Sequence, residues 1–128
     1  MTAEQINKLV KDIHSKNVEA GWWNDPETGE SLLNHKFTPY VIGTKLNLIT
    51  TEVSEATEGY RKDLMDDKLP QYRMVDVELV DALIRIFDLL GAVGCKNAGE
   101  IMEAKRNFNK SRPDHQVGNR VKKNGKKF

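Results

Sequence analysis

The chain has 128 residues, 38% of them hydrophobic, which is enough for one domain with a sizeable core but not for two cores. The formal net charge is only +1, yet from Lys110 onward seven Lys/Arg face the single Asp114, leaving 13 Lys/Arg against 18 Asp/Glu before that point. An acidic body with a basic tail suits cation binding in the body and an anionic ligand at the tail. The sequence contains one cysteine, Cys95, which excludes a disulfide scaffold and favours a cytoplasmic protein. No apolar run approaches the roughly 20 residues that a membrane span needs.

The first predicted helix begins at a capping box formed by Thr2 and Gln5 and continues, on apolar residues at helical spacing, to about Ala20. The segment "GWWNDPETGESLLNHKFTP" then forms a long connection with two turn signals. Connections of this length within compact domains are often lids or binding loops. The sequence therefore predicts a functional loop between the first two helices.

Three further helices complete the predicted architecture. The second begins at Thr38-Pro39 and ends near Asp63, the third covers about residues 74–93, and the fourth begins at a capping box of Asn97 and Glu100 and ends near Asn109. Pro113 and the Gly/Lys/Asn-rich end predict an extended or disordered tail. We therefore expect one all-α domain over residues 1–128, a bundle of four main helices with a basic tail from about residue 110.

Crowded glutamates mark the second helix. Glu52, Glu55 and Glu58 are three residues apart, and like charges at this spacing destabilise a helix by roughly 0.2–0.5 kcal/mol per pair. A helical wheel predicts that Glu52 and Glu55 share one flank of the core, whereas Glu58 points to solvent. The buried stripe that this wheel assumes consists of Ile49, Val53, Ala56 and Tyr60. Bound cations would explain the repulsion that Glu52 and Glu55 tolerate.

The third helix is apolar around most of its circumference, which predicts that it is largely buried. One narrow polar stripe interrupts the apolar surface, formed by Glu78, Asp81, Arg85 and Asp88. Buried carboxylates need partners or a metal. Two interpretations remain open: a salt-bridged seam in which Arg85 pairs with Asp81 and Asp88, or a second carboxylate pair of Glu78 and Asp81 with the spacing of Glu52 and Glu55.

The short connection from Asp63 to Met74 predicts that these two helices are antiparallel neighbours, so that the two carboxylate pairs converge. The predicted metal ligands are Glu52, Glu55, Glu78 and Asp81. A ligand set of oxygens without His or Cys favours Mg²⁺ or Mn²⁺, and such cations most often serve phosphate chemistry. Lys45 shares the Glu52 flank and would pair with a carboxylate or contact a phosphate.

Aromatic groups of the long loop could stack on a nucleobase. The candidates are Trp22, Trp23, His35 and Phe37. The ordinary alternative for the two adjacent tryptophans is one buried anchor and one residue at the rim of a cavity.

The spacing Glu52-x-x-Glu55, 22 intervening residues and Glu78-x-x-Asp81 resembles the ExxE…ExxD signature of the MazG-like all-α nucleoside triphosphate pyrophosphohydrolases. "AKRNFNKSRPDH" is similar to the segment that follows the metal-binding helices in this family, and the "GWW" and "GKKF" segments resemble short phage and bacterial members. The resemblance implies Lys105, Asn109 and Arg112 as nucleotide contacts. A solvated helix end is the alternative for Lys105 and Asn109.

The resemblance also implies the reaction. A (d)NTP would be cleaved to (d)NMP and pyrophosphate with two or more Mg²⁺ or Mn²⁺ ions, and Glu52 or Glu55 would act as general base to the attacking water. Family members are typically homodimers or homotetramers, and the short phage-like ones include enzymes acting on dGTP and GTP. The resemblance therefore favours a guanine (d)NTP as substrate, with a broad role in cleaning the nucleotide pool as the alternative, although no residue decides the base. We expect a host-cytoplasmic location if the chain is phage-encoded.

Two alternatives belong to other functional classes. A helical nucleic-acid-binding or interaction protein would use the lysine-rich tail to contact phosphates. That interpretation leaves the paired carboxylates without a role, and they would repel a polyanion unless a metal neutralised them, so we expect no nucleic-acid partner. A nucleotide sensor without catalysis would keep the same fold.

Overall fold

The computed structural model describes residues 1–128 and is all-α, as predicted. It contains four long helices, two short helical segments and no β-strand, compatible with a four-helix bundle. The long helices are α1 (Ala3–Glu19), α2 (Thr38–Arg61), α3 (Met74–Ala92) and α4 (Ala98–Ser111), and a 3₁₀ turn (Pro113–His115) and α5 (Val117–Arg120) follow. None of the helices has the length and apolarity that crossing a membrane requires.

The chain forms two compact units, which we name for their positions in the sequence. The central unit comprises residues 9–95, and the terminal unit comprises residues 1–8 and 96–128. The prediction of one domain over residues 1–128 stays a prediction, because two compact units can belong to one domain.

The terminal unit confirms one predicted capping box and corrects the other. Thr2 N–H donates to Gln5 Oε1, and Gln5 N–H donates to Thr2 Oγ1, as a capping box requires. The Asn97 side chain makes no capping hydrogen bond at α4. Asn7 replaces it: its Oδ1 accepts from the Gly99 N–H and its Nδ2 donates to Glu100. A residue 92 positions away in sequence thus caps α4, which a local motif could not reveal.

Within the central unit, α2 and α3 pack closely in antiparallel directions. Gly59 near the end of α2 lies against Met74 at the start of α3, while Glu52, earlier in α2, contacts Arg85 in the second half of α3. A Cβ on Gly59 would be 2.8 Å from the Met74 side chain, so that only glycine permits this approach. The close contact brings the two carboxylate pairs to one interface.

The buried stripe predicted for α2 is wrong in two positions. Val53 is 47% exposed and Tyr60 is 74% exposed, whereas the buried residues of α2 are Glu52, Ala56 and Gly59. The small residues Ala56 and Gly59 allow α3 to approach. Glu52 can be buried beside them because it is paired with Arg85 of α3. Close helix packing, and not side-chain hydrophobicity alone, therefore decides which face of α2 is covered.

The connection between α2 and α3 is a compact turn. Asp66 is buried, and its Oδ2 accepts hydrogen bonds from the backbone N–H groups of Lys68 and Leu69. The Asp66 N–H donates to the Tyr72 carbonyl, which brings the two ends of the connection together. This local network returns the chain antiparallel, as its short length predicted.

The prediction of an extended or disordered tail is wrong for its first part. Residues 113–115 form the 3₁₀ turn and residues 117–120 form α5. Side-chain amides satisfy backbone carbonyls here: Gln116 Nε2 donates to Lys110 O and Asn119 Nδ2 donates to Pro113 O, at 2.6 and 2.7 Å. Local polar hydrogen bonds thus order a segment that has few apolar residues.

Candidate metal centre

Three of the four predicted metal ligands lie together in the central unit. Glu52 and Glu55 of α2 and Glu78 of α3 each offer one carboxylate oxygen, and these oxygens are all within 4.8 Å of one another. Two oxygens on one Mg²⁺ are separated by no more than about 4.2 Å, and two oxygens on the larger Ca²⁺ by no more than about 5 Å. The acidic cluster formed by these three residues therefore has the oxygen ligand chemistry of a Mg²⁺ or Mn²⁺ site.

The fourth predicted ligand, Asp81, lies beside the acidic cluster and not within it. It follows Glu78 by three residues on α3 and lines the same cavity as Glu52. Burial first, and then the negative charges of Glu52 and Asp66, raise the pKa of Asp81 against the opposing charges of Arg85 and Lys68. Asp81 is thus placed to extend the negative field of the cluster toward the cavity.

The carboxylates of the acidic cluster differ in proton affinity. Burial raises the pKa of Glu78 to about 7, together with its hydrogen bond to Glu52 and the charges of Glu55, Glu52 and Asp81. Burial acts in the same direction on Glu52, but the hydrogen bond and charge of Arg85, with hydrogen bonds to Glu78 and Glu55, outweigh it and lower the pKa of Glu52. Burial is the largest cause of the raised pKa of Glu78 and the neighbouring carboxylates add to it, so a bound divalent cation would favour the ionised form of Glu78.

Arg85 is connected to the acidic cluster by its hydrogen bond to Glu52. Its Nε donates to Glu52 Oε1 at 2.5 Å, which joins α3 to α2. The salt-bridged seam on α3 considered from the sequence is therefore replaced by contacts between elements, because Arg85 pairs with Glu52 while Asp88 has other partners. The spacing of the polar stripe identified Arg85, but its partner on α2 depends on helix packing.

Asp88 anchors the long loop between α1 and α2. This buried carboxylate accepts hydrogen bonds from Trp23 Nε1, at 3.0 and 3.2 Å, and it contacts His14 Nδ1 at 2.7 Å. Lys45 Nζ lies 4.4 Å from the centroid of the Trp23 ring and donates to the Trp22 carbonyl at 2.9 Å. Three helices thus hold the start of the loop.

These contacts correct the base-binding role predicted for Trp23. Its side chain is 0% exposed and is enclosed by Asp88, His14 and Lys45, so no ring face is accessible to a base. The alternative of one buried anchor and one rim residue describes the pair correctly, because Trp22 is 68% exposed. The rings of His35 and Phe37 contact each other further along the loop in a tilted arrangement, with centroids 5.4 Å apart.

One cavity shares Glu52 with the acidic cluster, and a second cavity borders the first. The first, of about 370 Å³, has charged residues in its wall that include Glu52, Asp81, Arg85 and Asp88. The second, of about 560 Å³, lies between the long loop and the start of α2, and its walls include Leu32, Tyr40 and Val41. Both cavities are lined by the same three residues at their common side: Trp22, Lys45 and Leu48. A charged compartment therefore borders a more apolar one.

Lys45 does not contact a carboxylate of the cluster, although it lines both cavities. Its ammonium group is committed to the Trp22 carbonyl and the Trp23 ring. Burial lowers its pKa, partly offset by the charge of Asp88 and reinforced by that of Arg85. Its observed contacts are those of a residue that positions the loop.

The residues that the family resemblance implies as nucleotide contacts belong to the terminal unit. Lys105 Nζ lies 5.1 Å from the centroid of the Phe108 ring, and Asn109 Oδ1 is buried without a hydrogen-bond partner. Arg112 donates two hydrogen bonds to Asp114, at 2.9 and 2.6 Å. Their role as nucleotide contacts stays a prediction.

Comparison of this chain with protein-family models, with curated proteins and with solved structures finds no match. The resemblance to MazG-like pyrophosphohydrolases therefore depends on the residues and motifs of the sequence alone. The class that fold and site define is an all-α protein with a cluster of three carboxylates beside a charged cavity.

Proposed function

We propose that the protein is a metal-dependent nucleotide pyrophosphohydrolase that converts a (d)NTP to (d)NMP and pyrophosphate. The observation that carries the proposal is the convergence of Glu52, Glu55 and Glu78, with oxygens within 4.8 Å of one another, at the side of a charged cavity of about 370 Å³. Burial and the neighbouring carboxylates raise the pKa of Glu78 to about 7, and a bound divalent cation would offset the charge of those carboxylates. A substrate that brings divalent cations with it supplies the missing positive charge.

The residues of the cluster would have different roles in metal binding and catalysis. Glu52, Glu55 and Glu78 would hold Mg²⁺ or Mn²⁺, and Asp81 would contribute where a second ion binds. When bound, such ions neutralise phosphate charge and lower the pKa of a coordinated water. Of the two glutamates considered as general base, Glu55 suits the role better, because Arg85 lowers the pKa of Glu52 whereas Glu55 is exposed to water.

We also propose that the nucleoside part of the substrate binds in the second cavity. The second cavity borders the charged one along Trp22, and Trp22 is exposed enough to offer a ring face. A base in this cavity would have its phosphates near the acidic cluster. The preference for dGTP or GTP comes from the family resemblance. We also propose a cytoplasmic location, which a sequence with a single cysteine favours because it cannot form an internal disulfide.

The experiment is a panel of all NTPs and dNTPs with Mg²⁺ or Mn²⁺, in which pyrophosphate release is measured for the wild type, E52Q and E58Q. We expect E52Q to lower kcat/KM by more than about 100-fold, because losing a partner of a metal ligand already costs about 10–100-fold. Glu58 is the matched control on the same helix, since it pairs with Lys62 and Arg61 outside the cluster.

Two results would count against the proposal. Equal turnover by E52Q and the wild type would contradict the metal assignment. Absence of pyrophosphate release from every nucleotide, combined with salt-dependent binding of DNA, would favour the nucleic-acid-binding alternative that the basic C-terminal segment allows.

A further inference from the structure

Two cationic side chains line the charged cavity beside the acidic cluster, and they have different contacts. Lys45 donates to the Trp22 carbonyl and lies over the Trp23 ring. Arg85 instead donates from Nε to Glu52 Oε1, and its side chain is 40% exposed. The two residues therefore have different contacts in the cavity wall, Lys45 with the loop and Arg85 with a carboxylate of the acidic cluster.

The guanidinium of Arg85 has capacity beyond its bond to Glu52. An arginine carries five N–H donors in a planar fork, and the Glu52 contact uses the one on Nε. The donors on the two terminal nitrogens are not engaged by Glu52, and Arg85 belongs to the wall of the cavity. A planar pair of N–H groups matches two oxygens of a phosphate better than an ammonium group does.

We propose that Arg85 binds phosphate oxygens of the substrate through its terminal nitrogens while its Nε remains on Glu52. This inference depends on the proposed function, and it assigns to Arg85 the phosphate contact that the sequence attributed to Lys45. The geometry links one metal ligand and the substrate through a single side chain. The arrangement also compensates the carboxylates Glu52 and Asp81, which would otherwise repel a polyphosphate in the same cavity.

The test compares R85M and R85K with the wild type and with R73M, in a full-length chain. Arg73 is the matched control because it is an exposed arginine at the start of α3 that pairs with Asp76. Titration calorimetry measures binding of inorganic pyrophosphate to Mn²⁺-saturated protein, and a separate titration measures binding of Mn²⁺ alone. Steady-state kinetics give KM and kcat for the nucleotide that turns over fastest.

We expect R85M to weaken pyrophosphate binding by about tenfold or more and to raise KM by a similar factor, as loss of a charge-assisted hydrogen bond implies. R85K should recover part of the affinity, because it keeps the charge without the fork. R73M should bind like the wild type. Affinity for Mn²⁺ alone should change much less than affinity for pyrophosphate.

Three results would overturn the inference. R85M could bind pyrophosphate as tightly as the wild type, or the wild type could fail to bind it at all. Mn²⁺ affinity could also fall by the same factor as pyrophosphate affinity, which would mean that Arg85 acts only by positioning Glu52. If circular dichroism shows that R85M does not fold, the inference is tested with R85K instead. Pyrophosphate affinity equal to that of the wild type in R85K would then contradict the inference. The nucleotide panel decides the proposed function separately.

Discussion

At the scale of single residues, two glutamates that look alike in the sequence have different environments. Glu52 is 7% exposed and paired with Arg85, whereas Glu55, three residues later, is exposed. Glu78, on the neighbouring helix, has neither the exposure of Glu55 nor an arginine partner, and its pKa rises to about 7. Neighbouring charges and burial, more than residue type, thus determine which carboxyl group holds a proton at neutral pH.

The raised pKa of Glu78 predicts a pH dependence of metal binding. A divalent cation binds the ionised carboxylate, so a proton must leave Glu78 when binding occurs below about pH 7. Apparent Mn²⁺ affinity should therefore rise by up to about tenfold per pH unit between pH 5.5 and 7, and level off above pH 7. Titration calorimetry at pH 5.5, 6.5 and 7.5 measures this change.

The variant E78Q provides the control for this pH dependence. It cannot ionise, so its weaker Mn²⁺ binding should lose most of the variation between pH 5.5 and 7. A wild-type affinity that stays constant over that interval would contradict the assignment of Glu78 as the protonated member of the cluster.

At the scale of elements, the buried side chain of Trp23 anchors the long loop, next to the hydrogen bond from Lys45 to the Trp22 carbonyl. Trp23 donates to Asp88 on α3, and Lys45 of α2 covers its ring. Removal of the indole N–H would leave the buried Asp88 with one donor fewer, and an unsatisfied buried acceptor costs about 1–3 kcal/mol. The position of the loop, and with it the common wall of the two cavities, depends on this anchor.

W23F should therefore lower the free energy of unfolding by about 1–3 kcal/mol, measured by urea denaturation. W22F is the matched control in the adjacent position, and it should change stability by less than about 0.5 kcal/mol because Trp22 is exposed. Equal effects of the two substitutions would show that Trp23 does not anchor the loop through Asp88.

At the scale of the whole molecule, α3 presents an apolar row to solvent. Leu79, Leu83 and Ile86, at helical spacing, are 48%, 49% and 38% exposed. The sequence predicted a largely buried α3, and a single chain leaves this row uncovered. We propose that a second copy of the chain covers it, in a homodimer or a homotetramer, because contiguous exposed apolar surface marks an interaction site.

L83E should dissociate such an oligomer, because an ionised carboxylate would be buried in the apolar contact. Sedimentation equilibrium at micromolar concentrations should show a dimer or tetramer for the wild type and a species of lower mass for L83E. S15E introduces the same charge at an exposed position of α1 and should leave the mass unchanged. A monomeric wild type would contradict the proposal.

The four helices could be predicted from the sequence because their signals are local. Thr38-Pro39 begins α2, and the Thr2–Gln5 capping box begins α1 as expected. The cap of α4 and the buried face of α2 could not be predicted in this way. Asn7 is distant in sequence from Gly99, and Val53 is exposed because Ala56 and Gly59, not the larger side chains, face α3.

The sequence by itself determined the helices, the acidic pairs and the oxygen ligand chemistry, since spacing along a helix sets which carboxylates share a face. Only the tertiary structure decided that Glu52, Glu55 and Glu78 meet while Asp81 lies beside them. It also paired Arg85 with Glu52 and buried Trp23 on Asp88. The physical reason is that ion pairs and burial depend on which helix faces meet in space, and spacing within one helix does not contain that information.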